Sequence, residues 1–222
     1  MDRERCAAYH ARMQIKKGQK LPEFRLATIG GLSTSSREFL RKPTLYIGWA
    51  SWDSSRELLG AVEKFHQKYA AEVRVVTIAF EAWNIEHCNR YLKLAGFTHL
   101  ALADCVFNLS RVWGVKQVPF AVLADAEGYA QIVDVPGEEL WPKVLAALKK
   151  KGEHKDVKPA KRKGIEHPKV EILVQEGMNY LTRNRVEDAL GFWGQALKLD
   201  PENQIIKRQM DVLRTPDKFY TK

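Results

Sequence analysis

Cysteine is scarce in this chain. Three cysteines in 222 residues, Cys6, Cys88 and Cys105, are too few and too scattered for a disulfide framework. No two of them stand as C-x-x-C, and none joins a zinc-ligand spacing. An apolar run of about 18 residues, the minimum for a membrane span, is missing as well. The opening Met1-Asp2-Arg3-Glu4-Arg5 is charged, with no apolar stretch behind it, so no secretory leader is expected. These absences together point to a reducing, cytoplasmic setting. A composition of 45% hydrophobic and 28% charged residues excludes a disordered or fibrous chain.

Positive charge is in excess, at +9 net, and its placement decides its meaning. Residues 1–20 carry +4, residues 21–148 sum to −1, residues 149–163 carry +6 and residues 164–222 sum to 0. The charge therefore lies in a leading arm and in a Lys-rich stretch, KKKGEHKDVKPAKRK, that lacks apolar periodicity and reads as a linker. The boundaries that follow are an arm over 1–17, a first globular domain over 18–148, a linker over 149–166, a helical domain over 167–215 and a tail over 216–222. With no interleaved aromatics and no folded basic face, the linker argues against nucleic-acid recognition. Weak, salt-sensitive binding through it stands as a second alternative.

The first domain alternates strand and helix patterns. Residues 44–50 and 73–80 are near-continuous apolar runs of strand length, as in strands buried on both faces. Leu58, Leu59, Val62, Phe65 and Tyr69 recur at helical spacing, as do Ile85, Cys88, Tyr91, Leu92 and Ala95. Short apolar runs at 100–103 and 120–124 precede a turn at 125–128, a strand at 129–133 and a helix at 138–149. This is an α/β layer with a mixed sheet. The second domain is all helical, with helices predicted over 170–183, 186–199 and 203–213.

Four motifs in order over residues 18–148 resemble the thioredoxin fold, specifically its TlpA/ResA and AhpC/TSA-like branch. Gly18 to Phe24 is similar to that family's G-x-x-x-P-x-F opening, and Trp49-Ala50-Ser51-Trp52 to the W-A-S/T-W before its redox cysteines. The segment from Gly114 to Phe120 resembles G-V-x-x-x-P-T, in which the proline, here Pro119, is cis. Asp125-x-x-Gly128 matches the hairpin turn that follows. The resemblance implies a thioredoxin-like fold with a mixed sheet, and a docking edge for extended peptide at Trp52, Val118 and Pro119.

Where the family carries C-x-x-C, this chain has Asp53-Ser54-Ser55-Arg56. Thiol–disulfide exchange needs a thiolate, and none of these four residues supplies one. Ser54 and Glu57 read instead as a capping box, with Asp53 adding negative charge at the helix start. No catalytic residue, cofactor or metal site is assigned on this basis. Cys88 lies on the apolar stripe of its helix and reads as core, whereas Cys105 follows Asp104 in a loop.

In the helical domain Gly177, Tyr180, Ala189, Trp193, Ala196 and Pro201 follow the small–aromatic order of a tetratricopeptide repeat, which the segment resembles. A single repeat leaves a face to cover, so docking on the first domain or pairing into a homodimer is expected. The function expected from these readings is a redox-inactive binding, assembly or chaperone-like module for a protein or peptide partner. The alternative is an atypical thiol–disulfide oxidoreductase or peroxidase using Cys88 or Cys105.

Overall fold

The computed structural model describes residues 14–83, 85–150, 152, 154–155 and 168–220. Cys6 and most of the Lys-rich stretch lie outside them. Seven strands form a single sheet: β1 (Arg25–Thr28), β2 (Ser33–Ser35), β3 (Thr44–Trp49), β4 (Arg74–Ala79), β5 (Leu100–Ala103), β6 (Phe120–Ala124) and β7 (Ala130–Asp134). Their order is β2-β1-β5-β4-β3-β6-β7. β3, β4 and β5 run parallel, while β1, β2, β6 and β7 pair antiparallel, so the sheet is mixed as expected.

The central strands are buried on both faces, which is why their sequences read as unbroken apolar runs. One face packs on α1 (Leu59–Tyr69) and α4 (Leu140–Leu148), whose Val62, Phe65, Leu140 and Val144 meet Leu45, Ile47 and Leu123. On β3 a close approach requires glycine: a Cβ at Gly48 would fall 2.0 Å from the Phe120 ring. That ring makes an edge contact with Phe80 at 5.8 Å between centroids. α2 (Ile85–Leu94) seals the pole of the sheet with Cys88 and Leu92, beside Trp49 and Ala79. The remaining helix of this part is the short α3 (Asn108–Val112), which starts on a buried carboxylate: Asn108 N–H and Leu109 N–H donate to Asp104 at 2.7 and 2.8 Å.

Beyond the Lys-rich stretch come α5 (Pro168–Leu181), α6 (Val186–Leu199), α7 (Gln204–Arg214) and the single-turn α8 (Pro216–Phe219). α5 and α6 form a tight pair around Gly177. A Cβ there would fall 2.2 Å from Trp193 Nε1, and that indole donates to Val174 O at 3.1 Å. This helical part does not stand apart. Its Trp193 meets Phe107 edge-on at 5.8 Å, and one continuous apolar cluster runs from Phe24, Tyr46 and Trp113 through Phe107 to Trp193, Ile206 and Met210. The contact also has polar pins. Gln204 N–H and Ile205 N–H donate to Lys116 O at 2.9 and 3.2 Å, and Lys116 Nζ pairs with Asp200 at 2.6 Å.

Candidate functional site

β3, β4 and β5 end side by side, at Trp49, Ala79 and Ala103. Parallel strands aim the residues after their carboxyl ends at one place. Here those residues are Ser51, Glu81 and Cys105, and α2 adds Cys88 from the side. The Ser51 hydroxyl and amide both approach the Cys88 sulfur. The Ser51 hydroxyl also donates to Glu81 Oε2, and the Tyr220 hydroxyl donates to the same oxygen at 2.8 Å. Gln209 of α7 donates its Nε2–H to Glu81 Oε1 at 3.1 Å. Its Oε1 accepts from Trp52 Nε1–H at 3.1 Å and from Ala82 N–H at 3.3 Å. Trp83 N–H also donates to Glu81 Oε1, at 3.1 Å.

The cluster is dry. Ser51, Cys88 and Gln209 are 0% exposed, Glu81 1% and Trp52 6%. Burial, with the Glu81 carboxylate next to it, therefore pushes the Cys88 thiol far above its ordinary range, against the pull of Ser51. Burial, then Asp104 and Glu81, push Cys105 up to about 11. Burial and the Glu81 carboxylate likewise push up the Tyr220 phenol. In this closed arrangement both thiols hold their protons at neutral pH.

The four residues of the altered turn sit next to this cluster. Asp53, not Ser54, caps the 3-10 turn Ser54–Leu58: it is extended, and its Oδ1 accepts from Ser55 N–H at 2.8 Å. Ser54 is exposed. Ser55 is buried, and its Oγ accepts from Ala50 N–H at 3.1 Å. Arg56 Nη1 donates to Ser51 O at 3.0 Å, and its guanidinium lies 5.2 Å from the Tyr91 ring centre. The Val118-Pro119 peptide bond is cis, and both residues are half-buried. Trp52, one of the three residues expected at the docking edge, is buried and hydrogen-bonded to α7.

Sequence reasoning passed over Glu81, Gln209 and Tyr220. Two signals were present: Glu81 is a charge directly after a buried strand, and Gln209 interrupts the apolar stripe of Ile205, Ile206, Met210, Val212 and Leu213. Neither says which partner it meets.

One trio among the described residues has metal-ligand chemistry, Asp125, Glu127 and His154 at the hairpin turn. Asp125 is already engaged there. Its Oδ1 accepts from Glu127 N–H and Tyr129 N–H, and its Oδ2 meets Gln131 Nε2 and His154 Nε2, both at 2.8 Å. Its work is turn formation.

A mixed sheet of this order, with a W-A-S-W turn at the carboxyl end of β3 and a cis-proline before β6, bears comparison with known proteins. No family model matches the chain. The thioredoxin-like protein YneN of Bacillus subtilis (strain 168) is 34% identical over 125 residues, covering 54% of this chain and 72% of that protein. The chain belongs to the thioredoxin-like family. A putative thiol:disulfide interchange protein DsbE from Chlorobium tepidum superposes with a TM-score of 0.55 at 25% identity, over 60% of this chain and 99% of that one. The thioredoxin domain of a thiol-disulfide oxidoreductase from Bacteroides vulgatus has the same TM-score at 16% identity, over 60% and 99%, and shows the fold alone.

Membership of the thioredoxin-like family overturns the expectation of a redox-inactive binding module. The similar proteins are thioredoxin-like and thiol:disulfide interchange proteins, so the alternative through Cys88 or Cys105 is the better supported. The physical reason lies in the fold. The missing C-x-x-C at residues 53–56 excludes one arrangement of thiols, whereas the sheet brings Cys88 to the same turn from α2. No helix among the described residues is long and apolar enough to cross a membrane.

Proposed function

We propose that this chain is a thiol–disulfide oxidoreductase in which Cys88 is the reacting thiol and Cys105 the second thiol. The observation that carries this reading is the position of Cys88, whose sulfur lies against Ser51 within Trp49-Ala50-Ser51-Trp52. Cys105 is near enough for its charge to raise Cys88 further. The similarity to a thiol:disulfide interchange protein supports the same chemistry.

The exchange balances with no added cofactor. The Cys88 thiolate attacks one sulfur of a substrate disulfide, forming a mixed disulfide, and the other substrate sulfur leaves and takes up a proton. The Cys105 thiolate then attacks the Cys88 sulfur, and the second substrate sulfur leaves as a thiol. The substrate disulfide is reduced by two electrons, and the protein holds a Cys88–Cys105 disulfide. An external dithiol restores the two thiols. A protein or peptide disulfide is the substrate class, with Val118 and Pro119 as the strand edge that receives extended chain. The tetratricopeptide-like pair of α5 and α6, packed through Gly177, Tyr180, Ala189, Trp193 and Ala196 with Pro201 exposed after it, carries α7, which supplies part of the wall of this site.

Insulin reduction by dithiothreitol, followed by turbidity, tests the reading. The wild-type chain is expected to accelerate it, with Cys88→Ser at the uncatalysed rate and Cys6→Ser unchanged. Equal rates for wild type and Cys88→Ser would refute it. A loss of peroxide from solution that needs Cys88, without insulin reduction, would move the assignment to a peroxidase.

A further inference from the structure

A thiol that is 0% exposed cannot be reached by a substrate disulfide. Cys88 packs among Trp49, Leu59, Ala79 and Leu92, and the side of it that faces Ser51 and Glu81 is closed by this chain's own C-terminal part. Residues 203–220 lie across the pole of the sheet, with Gln209 and Tyr220 both hydrogen-bonded to Glu81. The Tyr220 ring stacks on His87 at 3.9 Å and 3°, and His87 is the neighbour of Cys88 on α2. At the other end Gln204 and Ile205 hold Lys116 O, close to the cis-proline edge where substrate chain would lie.

We infer that residues 203–220 are an intramolecular cap, which closes the Cys88 site in this structure and swings away to admit substrate. This rests on the thiol–disulfide reading for its purpose, though not for its geometry.

The chemistry of the contact suits a cap that opens. Its attachment at Glu81 is polar, while Ile205, Ile206, Met210, Val212 and Leu213 of α7 are buried in the continuous apolar cluster. Ser51, Trp83, Gln209 and Tyr220 all donate to Glu81, and two of them, Gln209 and Tyr220, belong to the cap. When the cap leaves, water replaces those two donors at little net cost, because a protein–protein hydrogen bond is exchanged for protein–water ones. The Gln209 carboxamide and the Trp52 indole are satisfied by water in the same way. Exposing the apolar residues of α7 is the main cost of opening, and it keeps the closed form dominant. Opening also lets water reach Cys88 and removes the burial that keeps its proton in place. Access and nucleophilicity are thus released by one movement.

The test measures access directly. In a Cys6→Ser, Cys105→Ser background, 5,5′-dithiobis(2-nitrobenzoate) reports Cys88 alone. Gln209→Ala combined with Tyr220→Phe is expected to speed its modification at least tenfold at pH 8, with unchanged circular dichroism. Equal rates in the two folded proteins would overturn the cap. Hydrogen exchange on the unmodified full chain gives a second reading that needs no variant. Amides of α7 should exchange at least tenfold faster than those of β3 and β4, through an opening short of global unfolding. Exchange of α7 only together with those strands would also overturn it. The two readings fail separately: loss of the cap leaves Cys88-dependent insulin reduction intact, and loss of the redox reading leaves the labelling difference intact.

Discussion

Trp52 Nε1–H donates to Gln209 Oε1 at 3.1 Å, across 157 positions of sequence. That bond joins the turn after β3 to α7, and so ties the thioredoxin-like part to the helical part at the candidate site. The same carboxamide donates to Glu81 and accepts from Ala82 N–H, so one side chain bridges three segments.

Gln209→Leu keeps approximate volume and removes these bonds. Trp52 Nε1–H and Glu81 would each lose a partner in a dry place. A loss of about 1–3 kcal/mol in unfolding free energy is expected, measured by urea denaturation. A fully stable variant would mean that water enters the site freely.

The helical pair depends on contact between backbone and indole. Gly177→Ala would put a methyl group 2.2 Å from Trp193 Nε1, in a buried seam. The helices must move apart, at a cost of about 1–3 kcal/mol. A fall in Tm by several degrees checks it. The same change at the exposed Gly60, where nothing lies within 4 Å of the added Cβ, should not lower Tm.

Acid stability should be set in part by Glu63 and His99, which meet at 2.8 Å beneath α1. Burial pushes the Glu63 carboxyl up, but Thr98, His99 and Gln67 outweigh it and hold it at about 2. Burial brings His99 down to about 4, with Glu63 opposing the fall. Both groups bind protons more readily unfolded than folded. His99 therefore costs stability as pH falls from about 6.5 to 4, and Glu63 as pH falls from about 4.5 to 2. Thermal melts between pH 7 and pH 4 should show Tm dropping, and His99→Gln should flatten that slope.

The proposed reaction should be slow at neutral pH and rise with pH. With Cys105 at about 11 and Cys88 higher, only a minute fraction of either thiol is ionised at pH 7 in the closed form. Cys88-dependent insulin reduction is expected to increase about tenfold per pH unit between pH 7 and pH 9. In the Gln209→Ala, Tyr220→Phe protein the rate should be higher throughout and the slope shallower, since water then reaches the thiol.

Much of the fold was legible because burial on both faces leaves a mark on composition. β3, β4 and β6 stand out as apolar runs, and α1, α2, α4, α6 and α7 as apolar stripes. β1 and β2 left no such mark. They have four and three residues, half of them exposed or nearly so, and are strands only through pairing with each other and with β5. The cap of the turn after β3 fell one residue earlier than expected, at Asp53, whose Oδ1 takes the Ser55 N–H.

By itself the sequence determined the strand and helix order, the W-A-S-W turn, the proline before β6 and the absence of a C-x-x-C, since each is a matter of local pattern or residue identity. Tertiary structure alone decided that Cys88, read as core packing and buried as such, lies at the carboxyl ends of the parallel strands against Ser51. It alone decided that Glu81, Gln209 and Tyr220 close that end of the sheet. The reason is physical: Ser51 and Glu81 are 30 positions apart and Trp52 and Gln209 are 157 apart, and only the parallel ends of β3, β4 and β5, with α7 packed across them, exclude water enough to make their contacts matter.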